Sequence, residues 1–217
     1  MKSKIAVLIS GGLDSSILLS HLLKKGSKIV PIYVKSGHVW EKVEIYWLRR
    51  YLKKIAASNL DSLVFLSMET RDLYDGHWSL SGQGTPGVRA NDRLVYLPGK
   101  NLLLITKAAV YCSLNKIKTL ALGPLKTNPF PDARPSFFKR LERVCSEGLG
   151  TKFEIKTPFL KRRKREVMKL GRGLPLELTF SCLSPVGTHH CGCCNKCAER
   201  KIAFRKAAFP DLTPYKQ

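Results

Sequence analysis

Lys4-Ile5-Ala6-Val7-Leu8-Ile9 runs directly into Ser10-Gly11-Gly12-Leu13-Asp14-Ser15-Ser16, and the reading of this junction decides the fold. The first six residues form a short, nearly unbroken apolar run and read as a buried strand. From Asp14 to Lys25 the apolar residues Ile17, Leu18, Leu22 and Leu23 recur at helical spacing, and Gly26 closes the helix. The two glycines between strand and helix allow a tight turn and leave backbone N–H groups uncovered. Successive N–H groups at the positive end of a helix make an anion site. The hydroxyls of Ser10, Ser15 and Ser16 add donors. Asp14 is the odd member, because a carboxylate beside phosphate is unfavourable unless it holds a cation. Mg²⁺ bridging a pyrophosphate resolves that conflict. The loop lacks the Gly-Lys-Ser/Thr ending of the Walker type.

Working outward, further strands are expected at Lys28–Val34, Ser62–Leu66, Lys118–Leu122 and near Lys152–Lys156. Helices are expected at Glu41–Ala57, Leu102–Leu114, Pro135–Ser146, Lys164–Gly171 and Asn195–Ala208. The alternation predicts an α/β fold, a doubly wound parallel sheet of about five strands. A ligand belongs at the carboxyl ends of its strands, beside the first helix. Residues 68–98 are broken by Gly76, Gly82, Gly84, Pro86 and Gly87, and a loop of that length is usually functional or mobile. Residues 1–172 are expected to form the α/β domain and residues 173–217 a small metal-binding subdomain packed on it.

The formal charge is +22, from 38 Lys+Arg against 16 Asp+Glu. Such a balance favours polyanions: nucleic acid, nucleotides or anionic surfaces. There is no low-complexity tail, so a folded body bears the charge. No apolar run reaches the roughly 18 residues needed to cross a membrane. The basic start leads into only five apolar residues, Ile5 to Ile9, and then Ser-Gly-Gly, which is no export signal; a cytoplasmic protein is expected. Folds of this kind commonly form homodimers, and a homodimer is one expectation for the assembly.

Five of the seven cysteines fall between Cys182 and Cys197. Clustering of this kind favours metal over disulfides. Cys182, Cys191, Cys194 and Cys197 have the spacing C-x8-C-x2-C-x2-C. Pairs of the C-x2-C type aim two sulfurs at one ion, and four thiolates leave Zn²⁺ no open position, so one structural zinc per chain is expected. Cys193 points away. His190 in place of one cysteine and an iron–sulfur cluster are the two alternatives. Cys112 and Cys145 lie in helical apolar patterns and belong to the core.

Strand, loop and helix together resemble the SGGxDS loop of the N-type ATP pyrophosphatases. With the cysteine knuckle they resemble the 7-cyano-7-deazaguanine synthases, the QueC or ExsB family. Tyr96-Leu97-Pro98-Gly99-Lys100-Asn101 is similar to that family's V-P-G-R-N segment. Asn128-Pro129-Phe130-Pro131-Asp132-Ala133-Arg134-Pro135 resembles its Y-P-D-C-R-P, Lys156-Thr157-Pro158-Phe159-Leu160 its h-T-P-L, and Glu177-Leu178-Thr179-Phe180-Ser181-Cys182 its E-L-T-W-S-C.

The resemblance implies an ATP-dependent ligase that adenylates 7-carboxy-7-deazaguanine, releases pyrophosphate, and uses ammonia to reach an amide and then the nitrile. It implies that ATP lies on Ile9, Ser10, Gly11, Gly12, Leu13, Asp14, Ser15 and Ser16, and zinc on the four cysteines. Asp14, Ser15, Lys100 and Arg134 are the implied catalytic residues, and Asn101, Asp132 and Arg134 the implied substrate contacts. Lys100 or Arg134 would neutralise charge developing on the carboxylate and α-phosphate. Lys100 stands where the family has arginine, Ala133 where it has cysteine, and Lys161-Arg162-Arg163-Lys164-Arg165 is wholly basic. These departures and the +22 charge keep two further readings open. One is a ligase that joins the acyl group to an amine on a protein or nucleic acid. The other is an RNA-modifying adenylating enzyme such as a tRNA thiolase.

Overall fold

The computed structural model describes residues 4–216. Its elements, in chain order, are β1 (Lys4–Leu8), α1 (Leu13–Lys24), β2 (Lys28–Lys35), α2 (Glu41–Lys54), β3 (Val64–Ser67) and α3 (Trp78–Ser81). They continue with α4 (Lys100–Leu114), β4 (Thr119–Ala121), α5 (Pro135–Gly148), β5 (Glu154–Lys156), α6 (Lys164–Leu170) and α7 (Asn195–Ala207).

The strands form one five-stranded sheet in the order β3-β2-β1-β4-β5, and every pairing is parallel. β1 is buried from both sides because its residues alternate between two cores. Ile5 and Val7 face α1, α6 and α7, with Ile17, Leu18, Val167, Met168, Ala203 and Phe204. Ala6 faces α4 and α5, with Ile105, Ala109, Phe138 and Leu141. Burial on both faces explains the unbroken apolar run of the first strand. The chain turns to β2 on one side of β1 and returns to β4 on the other. The crevice beyond the carboxyl ends of β1 and β4 is therefore the topological switch point.

Helix α7 belongs to the same core as α1, so the C-terminal segment is part of the packing under the phosphate-type loop. The end of α6 comes close to α1. A Cβ on Gly171 would lie 2.9 Å from Ile17 Cδ1 and 3.1 Å from the Met168 carbonyl oxygen. Helix α4 begins two residues earlier than its apolar pattern predicts. Gly99, at φ +75°, turns the chain into it, and Asp132 Oδ2 accepts from the Asn101 N–H at 2.9 Å in its first turn.

Residues 68–98 hold more structure than their glycines suggest. They contain α3 and a 3₁₀ turn at Asp92–Val95. The Val39 N–H donates to the Ser79 carbonyl at 3.0 Å and the Asn195 N–H to the Pro86 carbonyl at 2.8 Å. Tyr74 Oη donates to the Pro98 carbonyl at 2.6 Å. No helix among the described residues is long and apolar enough to cross a membrane.

Candidate active site and metal centre

The loop after β1 is built to leave a helix end open. Gly11 sits at φ +76°, a conformation that disfavours any side chain. Gly12 precedes α1 in extended backbone and offers no side-chain cap, so the first N–H groups of the helix remain available to an anion. Ser10 and Ser15 cross the mouth of the loop, with their hydroxyls 3.2 Å apart and the Ser10 N–H donating to Ser15 Oγ at 3.3 Å. The Phe180 N–H donates to the Gly11 carbonyl at 2.8 Å and fixes the loop from the far end of the chain. Ser16 is fully buried, and its carbonyl accepts from Tyr51 Oη at 3.1 Å.

Sequence reasoning missed Lys164, read only as one of five consecutive cations. Lys164, at the start of α6, places Nζ 2.6 Å from Asp14 Oδ2 and 3.4 Å from Glu199 Oε1. Lys196 lies 2.6 Å from Glu199 Oε2. Burial opposes the charge on Lys164, but Asp14 and Glu199 outweigh it and hold its pKa above the ordinary lysine value. Burial likewise opposes the charge on Glu199, and Lys164 and Lys196 pull that carboxyl down to about 2. Two carboxyl and two amino side chains thus pair beside an open helix N-terminus.

Two cavities of about 260 Å³ meet over this loop. Ser10, Asp14, Ser15, Glu44 and Lys100 line both. The first reaches along the carboxyl ends of β1, β2 and β4, past Ile9, Tyr33, His38, Asn101 and Gly123. The second runs toward α7, past Gly12, Leu13, Trp40, Lys164, Ser181, Lys196 and Arg200. Lys100 is half-buried, and its desolvation lowers its pKa, while Glu44 and Glu41 work to keep it charged. Glu44 was read only as part of a helix with a basic outer face. Its Oε2 accepts from Tyr33 Oη at 2.5 Å. Burial pushes its carboxyl up to about 7, against the Tyr33 hydrogen bond and Lys100.

Of the residues singled out in the sequence, Ile9, Ser10, Gly12, Leu13, Asp14, Ser15, Lys100 and Asn101 line these cavities. Asp132 lies behind them. It is 6% exposed, and it receives the Asn101 backbone N–H on Oδ2 while its carbonyl accepts from Asn101 Nδ2 at 3.0 Å. It holds the start of α4, and through it Lys100 and Asn101. Arg134 is exposed at the N-terminal boundary of α5 and lines neither cavity. Pro135 opens α5 there, and the backbone before it is extended.

The knuckle converges. The sulfurs of Cys182, Cys191, Cys194 and Cys197 all lie within 4.8 Å of one another. Cys191 and Cys197 are 3.9 Å apart and Cys182 and Cys194 4.0 Å. Four Zn–S bonds of about 2.3 Å in a tetrahedron require sulfurs about 3.8 Å apart, so the cluster fits a zinc site. The Leu183 N–H points at Cys194 Sγ (3.4 Å) and the Cys191 N–H at Cys182 Sγ (3.3 Å), the bonds that favour thiolates. Cys193 is exposed, as expected. His190 is fully buried but stands outside the cluster. Its Nε2 accepts from the Ser181 N–H at 3.2 Å, and its ring packs 4.5 Å from Phe180. Asn195, between two of the cysteines, donates from Nδ2 to the Ala90 carbonyl at 3.0 Å and to Asp92 Oδ1 at 3.1 Å, so the knuckle anchors the long loop.

Comparison with known proteins agrees with this geometry. A 7-cyano-7-deazaguanine synthase of a Nitratiruptor species is 29% identical over 98% of this chain and 99% of the relative. The enzyme of the same name from Thermoplasma volcanium is 28% identical over 99% of this chain and 92% of its own. Among solved structures, a predicted subunit of tRNA methyltransferase from Methanocaldococcus jannaschii superposes with a TM-score of 0.51 at 17% identity. It covers 77% of this chain and 73% of that one, a likeness of fold alone. The family model of the queuosine biosynthesis protein QueC matches residues 4–208, and the chain belongs to that family.

Proposed function

We propose that this protein is an ATP-dependent carbon–nitrogen ligase that forms AMP and pyrophosphate and converts 7-carboxy-7-deazaguanine to its nitrile with ammonia. The observation that carries the reading is the cradle. An uncapped helix N-terminus and two serine hydroxyls lie where two cavities meet, and Lys164 lines the second of them beside Asp14. The β,γ-pyrophosphate lies on the loop, with Lys164 exchanging its contact with Asp14 for phosphate oxygens. Asp14, so released, would hold Mg²⁺, which would supply charge neutralisation on the phosphates. The substrate carboxylate faces Lys100, and its oxygen attacks the α-phosphorus as pyrophosphate departs. Ammonia then forms the C–N bond, and AMP leaves with the bonding pair. In a second adenylation the amide oxygen displaces pyrophosphate; the C–O bond then breaks with its electrons leaving on AMP, the amide nitrogen gives up its two protons to solvent, and the nitrile remains. Zinc on the four cysteines is structural, one per chain. All seven cysteines are free, which suits a reducing cytoplasm.

The test is turnover of ATP, 7-carboxy-7-deazaguanine and ammonia, followed by mass spectrometry. Nitrile with AMP and pyrophosphate is the expected result. Absence of substrate-dependent AMP overturns the reading.

One surface favours a second reading, in which the acyl group goes to an amine on a nucleic acid. The exposed charged residues of α2 are Lys42, Arg49, Arg50, Lys53 and Lys54. The Arg50 guanidinium lies over the rings of Tyr46 and Trp47, 5.5 Å from each. Cations interleaved with aromatics suit a single strand. Binding that weakens steeply with salt supports this reading, and salt-insensitive or absent binding removes it.

A further inference from the structure

Glu44 is the one acidic side chain besides Asp14 that lines both cavities. The two carboxylates are differently occupied. Asp14 is bound to Lys164 at 2.6 Å, and its other oxygen is buried. Glu44 forms no ion pair among the described residues; Tyr33 Oη holds Oε2 at 2.5 Å. Its second oxygen, Oε1, makes no hydrogen bond among the described residues and is not among the oxygens shut off from solvent there. It therefore opens into the space where the cavities join.

The position is preorganised from several sides. Tyr33 comes from β2 and is itself buried. Leu48, one turn along α2, is fully buried and locks the helix to the core. Lys100, Asp14 and Ser15 face the same junction from α4 and α1. A carboxylate kept out of bulk water with one free oxygen is suited to receive a proton or hold a small cation. The ligase reaction needs such a group. The nucleophile is abundant in water only as ammonium, which has no lone pair to attack with.

We propose that Glu44 is the ammonium site and the proton acceptor for the amide-forming step. This rests on the ligase reading above. Ammonium enters the junction and places one N–H on Glu44 Oε1. That proton moves to the carboxylate, and the freed lone pair on nitrogen forms the C–N bond to the acyl carbon. The bond from acyl carbon to the AMP oxygen breaks, and AMP leaves with its electron pair. The extra proton on the new amide nitrogen goes to solvent, and Glu44 returns its own proton after product release. No oxidant or reductant is involved. The carboxyl is held near neutrality by its burial, which lets it release the proton again at working pH. Tyr33 is a positioning residue, since its hydroxyl donates to Glu44 Oε2.

The test separates adenylation from amide formation with the full-length protein. Exchange of labelled pyrophosphate into ATP, dependent on 7-carboxy-7-deazaguanine, reports adenylation alone. Amide formation from ammonium chloride is read by mass spectrometry. Glu44→Gln is expected to keep pyrophosphate exchange within about threefold and to slow amide formation about 100-fold or more. Alkaline buffer should restore much of the loss, because solution then supplies free ammonia. Tyr33→Phe should show a smaller loss with the same alkaline recovery. Amide formation unchanged in Glu44→Gln overturns the inference, as does a loss that alkaline buffer does not relieve. A parallel loss of exchange makes Glu44 a structural or ATP-binding residue and also overturns it. No acid-dependent exchange in the wild type overturns the ligase reading first, and this inference falls with it.

Discussion

Lys164 Nζ and Asp14 Oδ2 are 2.6 Å apart although 150 residues separate them in the chain. The pair joins the phosphate-type loop to the start of α6 and balances charge beside an open helix end. Removing Lys164 leaves Asp14 without its cation in a partly buried place, whereas Lys164 without Asp14 keeps Glu199 at 3.4 Å. Asp14→Ala is expected to abolish acid-dependent AMP formation while the circular dichroism spectrum is retained. Lys164→Met is expected to lower kcat/KM for ATP about 100-fold or more, as loss of a cation on transferring phosphate does. Normal turnover in either variant would remove the cradle from the phosphate chemistry.

Glu44 gives a pH signature in stability as well as in rate. Its carboxyl is pushed from the ordinary 4.5 to about 7 by burial. Tyr33, Lys100 and Glu41 are the groups that face it. The native state therefore binds more protons than the unfolded chain across that interval, and the Glu44 contribution falls as pH rises through it. Glu44→Gln should unfold at a higher temperature than the wild type at pH 8, with the difference shrinking toward pH 5. Thermal melts at the two pH values check this. A constant difference would show that Glu44 does not titrate there.

The cysteine cluster should hold one metal ion per chain, and elemental analysis is expected to find zinc. Removing it with a chelator should expose not only the knuckle but residues 86–92, because Asn195 bonds Pro86, Ala90 and Asp92. Limited proteolysis after chelation should cut in that segment first. Cleavage elsewhere, with the segment still protected, would separate the loop from the metal site.

Gly171→Ala tests the close approach of α6 to α1. The added carbon would meet Ile17 Cδ1 at 2.9 Å and the Met168 carbonyl oxygen at 3.1 Å, and Ile17 is fully buried. Overpacking of this kind costs about 1–3 kcal/mol. A lowered melting temperature with unchanged metal content is expected, and a neutral result would show that the helices can separate freely.

The elements that carry local signals were legible in the sequence. Strand, glycine turn and amphipathic helix at residues 4–25 needed only hydrophobic period and turn chemistry, and the cysteine spacing needed only the geometry of one ion. That the sheet is parallel followed from alternation. What stayed hidden depends on tertiary pairing. Lys164 looks like its four basic neighbours until folding brings Asp14 beside it. Glu44 has an ordinary helical context, and only the β2 neighbour Tyr33 and the cavity beside it distinguish it. Arg134 and Asp132 share one turn, yet the extended backbone before Pro135 leaves the arginine exposed. The buried aspartate instead receives the first turn of α4. No periodicity separates two such neighbours.

The hydrogen bond from Phe180 N–H to the Gly11 carbonyl has a consequence for how the molecule is made. The anion loop leaves the ribosome well before the residues that fasten it, with 150 residues between Asp14 and Lys164 alone. Until Lys164, Phe180 and the start of α7 have emerged, the growing chain has an incomplete nucleotide cradle. Contacts of such long sequence separation form late and slowly. A nascent chain truncated before residue 164 should therefore be unable to retain ATP, however well its first strands have paired.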